Sequence, residues 1–227
     1  MLRIEALELS LHSHDWAFAR ERRAEIDAHF EELRQQKPSM WNGRVLLMHH
    51  HEFAGSLLRG EYFETDFASF VAWRDFGFPD MSVKNTFALA ALQGSDGGYV
   101  LGVMGSHTSN AGKIYFPGGT PDRNDVNGGR VDLEAGVRRE MEEETGLRTA
   151  EFEVDPGWHC LPSGPMIALL KPMRSKEPAA QLRARILDHI KSEQDPELAG
   201  AAVVRSLSDI QPAMPAFIQT FFRIAFA

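Results

Sequence analysis

The stretch VDLEAGVRREMEEETGL, residues 131–147, places four glutamates in the five positions from Glu140 to Glu144, and no lysine follows them at helical spacing. Asp132 suits the N-cap of a helix opening at Leu133, and Gly146 stands where a helix-terminating glycine belongs. Such a helix carries its negative charge at the unfavourable end. Like charges three or four residues apart cost roughly 0.2–0.5 kcal/mol per pair, and the last turn already faces the negative pole of the peptide dipoles. Either these carboxylates form a solvated face or something cationic rests on them.

Spacing weighs the two readings. At about 100° per residue, Glu140, Glu143 and Glu144 share an arc of about 100°. Leu133, Val137 and Met141 form an adjacent apolar stripe that can pack on a sheet, while Glu142 points away and needs no special role. Arg139 precedes Glu143 by four residues, placed to pair with it and hold its rotamer. Three converging carboxylates suit a hard divalent cation, Mg²⁺ in particular, which binds through a few carboxylates together with water and substrate phosphates. An exposed acidic face is the commoner fate of a glutamate run. It leaves the apolar stripe, the glycine-rich approach and the missing lysines unexplained.

Outward from this helix, residues 15–36 read as an amphipathic helix stopped by Pro38, and residues 66–77 as another closed by Gly77 and Pro79. GRVLLMHHHEFAGSLLRGEYFETD reads as two strands turning at Ala54–Gly55, the first over Val45–His49. NTFALAALQGSDGGYVLGVMGSH is the plainest hairpin, and GKIYFPGGT a short strand running into a Pro-Gly-Gly turn. PDRNDVNGGR is loop by composition. Residues 151–155 and 165–171 are strand-like, AGAAVVRS is a strand, and two further helices follow residue 178. The order is mixed α and β, with a boundary expected near residue 84: residues 1–84 as an N-terminal α/β extension and 85–227 as the domain carrying the site.

The whole chain bounds the function. Its 227 residues are 43% hydrophobic and 25% charged, enough for one large domain or a domain with an extension. A net charge of −8 with no basic cluster argues against a nucleic-acid partner. The single cysteine, Cys160, excludes an internal disulfide framework and fits the cytoplasm. No apolar run approaches the roughly 18 residues that span a bilayer, so no membrane role is expected.

REMEEETGL, residues 139–147, resembles the core of the Nudix box, Arg-Glu-apolar-x-Glu-Glu-x-Gly-apolar, at every specified position, and YFPGGT resembles the strand and glycine turn that precede it. Against the full box, Gly-x5-Glu-x7 before that core, the chain departs twice. Val131 holds the place of the first glutamate, and eleven residues rather than five separate Gly119 from that place. Asp132 or Glu134 could supply the missing carboxylate. The resemblance implies a Nudix fold, a mixed sheet between helices, and hydrolysis of a nucleoside diphosphate linked to a group X. It implies Mg²⁺ or Mn²⁺ held by Glu140, Glu143 and Glu144, with Glu140 or a later glutamate as proton acceptor. Lys113, Arg123 and Arg130, with the Gly118–Gly119 turn, are the candidate substrate contacts.

Several signals are weaker. His49–His51 invites a metal reading, but strand neighbours point to opposite faces, so a structural role is expected. Trp41, Tyr62, Phe70 and Trp73 could stack a base, although packing is their usual task. His107 lies near the glycine turn, and Glu193 and Glu197 are candidates for a further glutamate outside the box. The expected X is a sugar, since Asp122, Asn124, Asp125 and Asn127 of the insertion would offer hydrogen bonds to its hydroxyls, and WNGRVLLM is loosely similar to hydrolases of nucleoside-diphosphate sugars. ADP-ribose is the alternative, through Pro162, fifteen residues beyond the box, and CoA is disfavoured. A catalytically silent nucleotide sensor is a second reading. An isomerase is a third, without a suitable cysteine–glutamate pair. The N-terminal 84 residues are expected to serve the substrate site or a homodimer contact.

Overall fold

The computed structural model describes residues 1–38 and 40–227. The first half holds β1 (Leu2–Ile4), β2 (Ala6–Leu11), α1 (Ala17–Glu21), α2 (Arg23–Gln36), β3 (Arg44–Ala54), β4 (Leu57–Asp66), α3 (Phe67–Asp75), β5 (Asn85–Gln93) and β6 (Tyr99–Met104). Four short strands follow: β7 (Ile114–Tyr115), β8 (Gly118–Gly119), β9 (Val126–Asn127) and β10 (Arg130–Val131). The remainder is α4 (Leu133–Thr145), β11 (Phe152–Val154), β12 (Trp158–Ser163), β13 (Met166–Ser175), α5 (Ala179–Ser192), β14 (Leu198–Val204) and α6 (Ala216–Ala225). The chain is a mixed α+β protein built on two mixed sheets.

The larger sheet runs β1-β12-β13-β5-β6-β14, with β11 on β13, β7 on β6 and β8 on β5. Its centre is the parallel pair β13 and β5, in register from Met166↔Asn85 to Arg174↔Gln93. A strand buried on both faces should be apolar throughout, and in β5 all but Gln93 are buried. Alternation still sorts the faces. Phe87, Leu89 and Ala91 pack with Phe217, Ile218, Phe221 and Phe222 of α6, while Ala88, Ala90 and Leu92 join the core that includes Val137, Met141, Leu182 and Ile186 of α4 and α5.

The smaller sheet runs β3-β4-β2-β10-β9. One face adds Leu9, Leu46, Met48, Leu58 and Tyr62 to that central core, and the other packs Leu47 and Phe63 against Trp16, Ile26 and Trp73 of the N-terminal region. The first residues therefore enter both sheets, β1 pairing with β12 and β2 with β10. Tyr62 donates its hydroxyl to Thr86 O at 3.1 Å, fastening one sheet to the other, and Leu46 N–H bonds Pro121 O of the loop after β8 at 2.8 Å.

Three local readings differ. The helix expected over 15–36 breaks at Arg22 (φ −106°), giving α1 and α2. The first strand of the 45–65 hairpin reaches Ala54 through a bulge after Met48, which lets it bend around the core. The 121–130 loop contains a helical turn at Arg123–Asp125 and the two-residue pair β9–β10. Among the described residues, no helix is long and apolar enough to cross a membrane.

Candidate active site

The acidic helix forms as its spacing predicts. Asp132 Oδ1 accepts the Ala135 N–H at 3.0 Å, a cap worth about 1 kcal/mol, and the helix ends in left-handed Gly146. Leu133, Val137 and Met141 are buried, which turns the carboxylates toward the β5–β8 edge. Glu142 does have a task. Its Oε1 accepts the Thr149 N–H at 2.7 Å and anchors the turn after the helix.

Glu140 and Glu144 line one end of a cleft of about 430 Å³. Glu144 is 7% exposed, and its Oε1 accepts the Gly118 N–H at 2.9 Å. Gly118 is required there: it has φ +120°, and a Cβ would stand 2.4 Å from Ala88 O. The second oxygen, Glu144 Oε2, is buried without a protein partner. Burial, then Glu197, Glu140 and Glu143, push the Glu144 carboxyl well above the usual range, against the Gly118 bond. Burial also raises Glu140 despite Arg139, and raises Glu197 despite His107. Glu197 also lines this cleft, and of its three raised carboxylates it is the exposed one. Repelling carboxylates with an unpartnered oxygen are a donor set suited to a hard cation. Among the described residues, no three His, Cys, Asp or Glu side chains are already arranged as a metal site.

Arg139 reaches Glu143 Oε2 at 3.2 Å, as the spacing predicts, and also contacts Glu140 Oε1 and Asp125 Oδ1, the last at 3.0 Å. Glu143 is the most open of the three box glutamates, with its side chain 62% exposed. The carboxylates considered for the place of Val131 are engaged elsewhere. Asp132 caps the helix, and Glu134 binds Arg138 and buried Lys171. Val131 itself packs in the central core.

Of the predicted substrate contacts, Lys113, Gly118 and Gly119 line the cleft. Arg123 and Arg130 are not brought there. Arg123 pairs with Glu64 at 2.8 Å, and Arg130 lies on β10 beside Glu8 and Glu61. The polar groups of the insertion also turn away. Asp122 Oδ1 accepts the Asn124 N–H, Asp125 faces Arg139, and Asn127 lines a separate groove.

Sequence reasoning missed most of the opposite wall. Phe67, Phe70 and Arg74 of α3 line the cleft together with Phe87 of β5, Met166 of β13 and Phe217 of α6. Phe87 and Phe217 meet edge-on at 5.2 Å. Tyr62 and Trp73 are fully buried, whereas Trp41 is 80% exposed. Glu193 pairs with His189 at 3.4 Å, and His49 stacks on His14 at 4.3 Å.

No family model and no curated protein matches the chain. Among solved structures, a MutT protein from Methanosarcina mazei Go1 is 22% identical, with a TM-score of 0.42, over 63% of this chain and 92% of that one. DR0079 from Deinococcus radiodurans is 14% identical, with a TM-score of 0.46, over 81% and 99%. A Nudix-family hydrolase from Clostridium perfringens is 13% identical, with a TM-score of 0.39, over 63% and 96%. Solved Nudix hydrolases are what this chain is similar to. At these identities and TM-scores, the likeness assigns neither family nor substrate.

Proposed function

We propose that the chain is a divalent-metal-dependent pyrophosphohydrolase of the Nudix superfamily, cleaving a nucleoside diphosphate linked to X into a nucleoside monophosphate and X-phosphate. The observation that carries the reading is Glu144, buried at the end of an aromatic cleft with one oxygen bonded to Gly118 and the other unpartnered. Glu140 and Glu144, with Glu143 at the rim, would hold Mg²⁺ or Mn²⁺. When bound, that ion neutralises phosphate charge and makes water more acidic.

The protein's own groups divide the remaining work. Lys113 presents an ammonium to the diphosphate, since no carboxylate lies within 4.0 Å of it among the described residues. Glu197, whose desolvation favours the protonated form, is the group to accept the proton from attacking water. Phe67, Phe70, Phe87 and Phe217 offer faces and edges to a planar base. Asn85, Ser109, Asn110 and Thr120 line the same cleft and provide amide and hydroxyl groups for a sugar, so the proposed X is a sugar. This replaces the support expected from the insertion, whose side chains face elsewhere. Residues 1–84 are then part of the substrate site, because Val45, Phe67, Phe70 and Arg74 belong to its wall.

The test is turnover of UDP-glucose, ADP-ribose, dinucleotides, CoA and nucleoside triphosphates with Mg²⁺ and with chelator, detecting phosphate-bearing products. Hydrolysis of a sugar-linked diphosphate that stops with chelator is expected. Binding without turnover would favour the silent sensor. A tenfold preference for CoA or a triphosphate, about 1.4 kcal/mol, would overturn the choice of X alone.

A further inference from the structure

We infer that Asp125, carried by the inserted loop, is the positioning residue that fixes Arg139 and, through it, Glu140 and Glu143; the inference rests on the metal-dependent reading above. Val131, in the place of the box glutamate, is buried among apolar side chains and offers Arg139 no charge. Asp125 meets the arginine instead, its Oδ1 accepting from Nη2 at 3.0 Å. Arg139 Nη1 then faces Glu140 and Glu143 together. An arginine gripped at one nitrogen presents the other in a set direction, which a free side chain on four rotatable bonds does not.

Three independent features hold Asp125 in that position. Its Oδ2 accepts the Asp122 N–H at 3.0 Å, so both carboxylate oxygens are satisfied. Its carbonyl accepts the Asp132 N–H at 2.8 Å, tying the inserted loop to the cap of the acidic helix. Below it lies Gly136, in the interior of α4, where a Cβ would stand 2.6 Å from Asp125 Oδ1. Glycine is a poor helix former at such a position, and the carboxylate occupies the space that a side chain would take. The Asp125 side chain is 6% exposed, so losing its partner would leave a buried carboxylate uncompensated.

The test measures Mn²⁺ affinity calorimetrically, with Mn²⁺ as the only ligand, on the full chain, alongside thermal unfolding. Asp125→Asn keeps the shape and removes the charge, and about tenfold weaker Mn²⁺ binding is expected, the scale on which groups behind metal ligands act. Combined with Arg139→Gln, it should add little, because its effect passes through the arginine. Gly136→Ala is the second variant; it leaves both charges and crowds Asp125, and the same loss is expected. Wild-type affinity in either folded variant, or equal penalties for Asp125→Asn with and without Arg139, overturns the inference and leaves the proposed function standing. A folded wild-type chain that takes no Mn²⁺ overturns both.

Discussion

Gly118 gives its N–H to Glu144 Oε1 at 2.9 Å, while Glu144 Oε2 stays buried and unpaired. The glutamate is thus held at one oxygen and carries an uncompensated demand at the other. Glu144→Gln keeps an acceptor for Gly118 and removes the charge. It should lower kcat by at least about a hundredfold, on the scale of losing one group that stabilises the reacting phosphate. The metal-free protein should become more stable, because repulsion among carboxylates falls. Near-full activity in this variant would remove the metal assignment.

The same cluster gives a signed pH dependence. Without metal, Glu140, Glu144 and Glu197 hold protons more tightly in the folded state than in the unfolded one. Their contribution to stability is complete below the ordinary glutamate range and is lost as pH rises through the raised values. The metal-free Tm should therefore fall as pH climbs from the glutamate range toward neutral, other groups being equal. Glu144→Gln should flatten that fall. Mg²⁺ at a hundred times its Kd should add about 2.7 kcal/mol at neutral pH. Calorimetric scans with and without chelator check both signs.

Lys113→Ala should raise KM about tenfold or more, since a hydrogen bond to a charged group contributes roughly 1.5–3 kcal/mol. Arg123→Ala and Arg130→Ala serve as controls and should leave KM within about twofold, because neither arginine lines the cleft. A larger KM effect from Arg123 than from Lys113 would contradict this placement.

Phe67, partly buried at the start of α3, is the aromatic side chain to remove with least damage to the core. Phe67→Ala should cost about 1–2 kcal/mol in substrate binding, within the range for base stacking, with kcat little changed. Steady-state kinetics separate the two constants. A fall in kcat at unchanged KM would mean that the aromatic wall is not where the base binds.

The acidic helix was legible because its information is local. Cap, stripe, carboxylate arc and terminal glycine all lie within one run of residues, and each appears where spacing put it. The hairpin of β5 and β6 was legible for the same reason. Asp125 was named only as a hydroxyl-binding group. Its pairing with Arg139 depends on how a loop folds back, which no periodicity encodes. The strands β1 and β2 were likewise unread. Their partners lie far along the chain, and their own residues alternate too weakly to declare a face. Arg123 and Arg130 were placed at the cleft by proximity in sequence, but Arg123 pairs with Glu64 of β4 and Arg130 lies on β10, both at the smaller sheet.

Leu2 pairs with Cys160, and Arg130 with Ser10. On a ribosome making about 5–20 residues per second, the strand at residues 2–4 waits roughly 8–30 s before its neighbour exists. During that time it is an unpaired edge, open to any other extended segment. Neither sheet can close until a strand far along the chain has been made, β10 for the smaller and β14 for the larger. Such distant pairings slow folding by their closure entropy. A circular permutant that moves residues 1–11 to follow residue 227 would be synthesised with its long-range partners already in place.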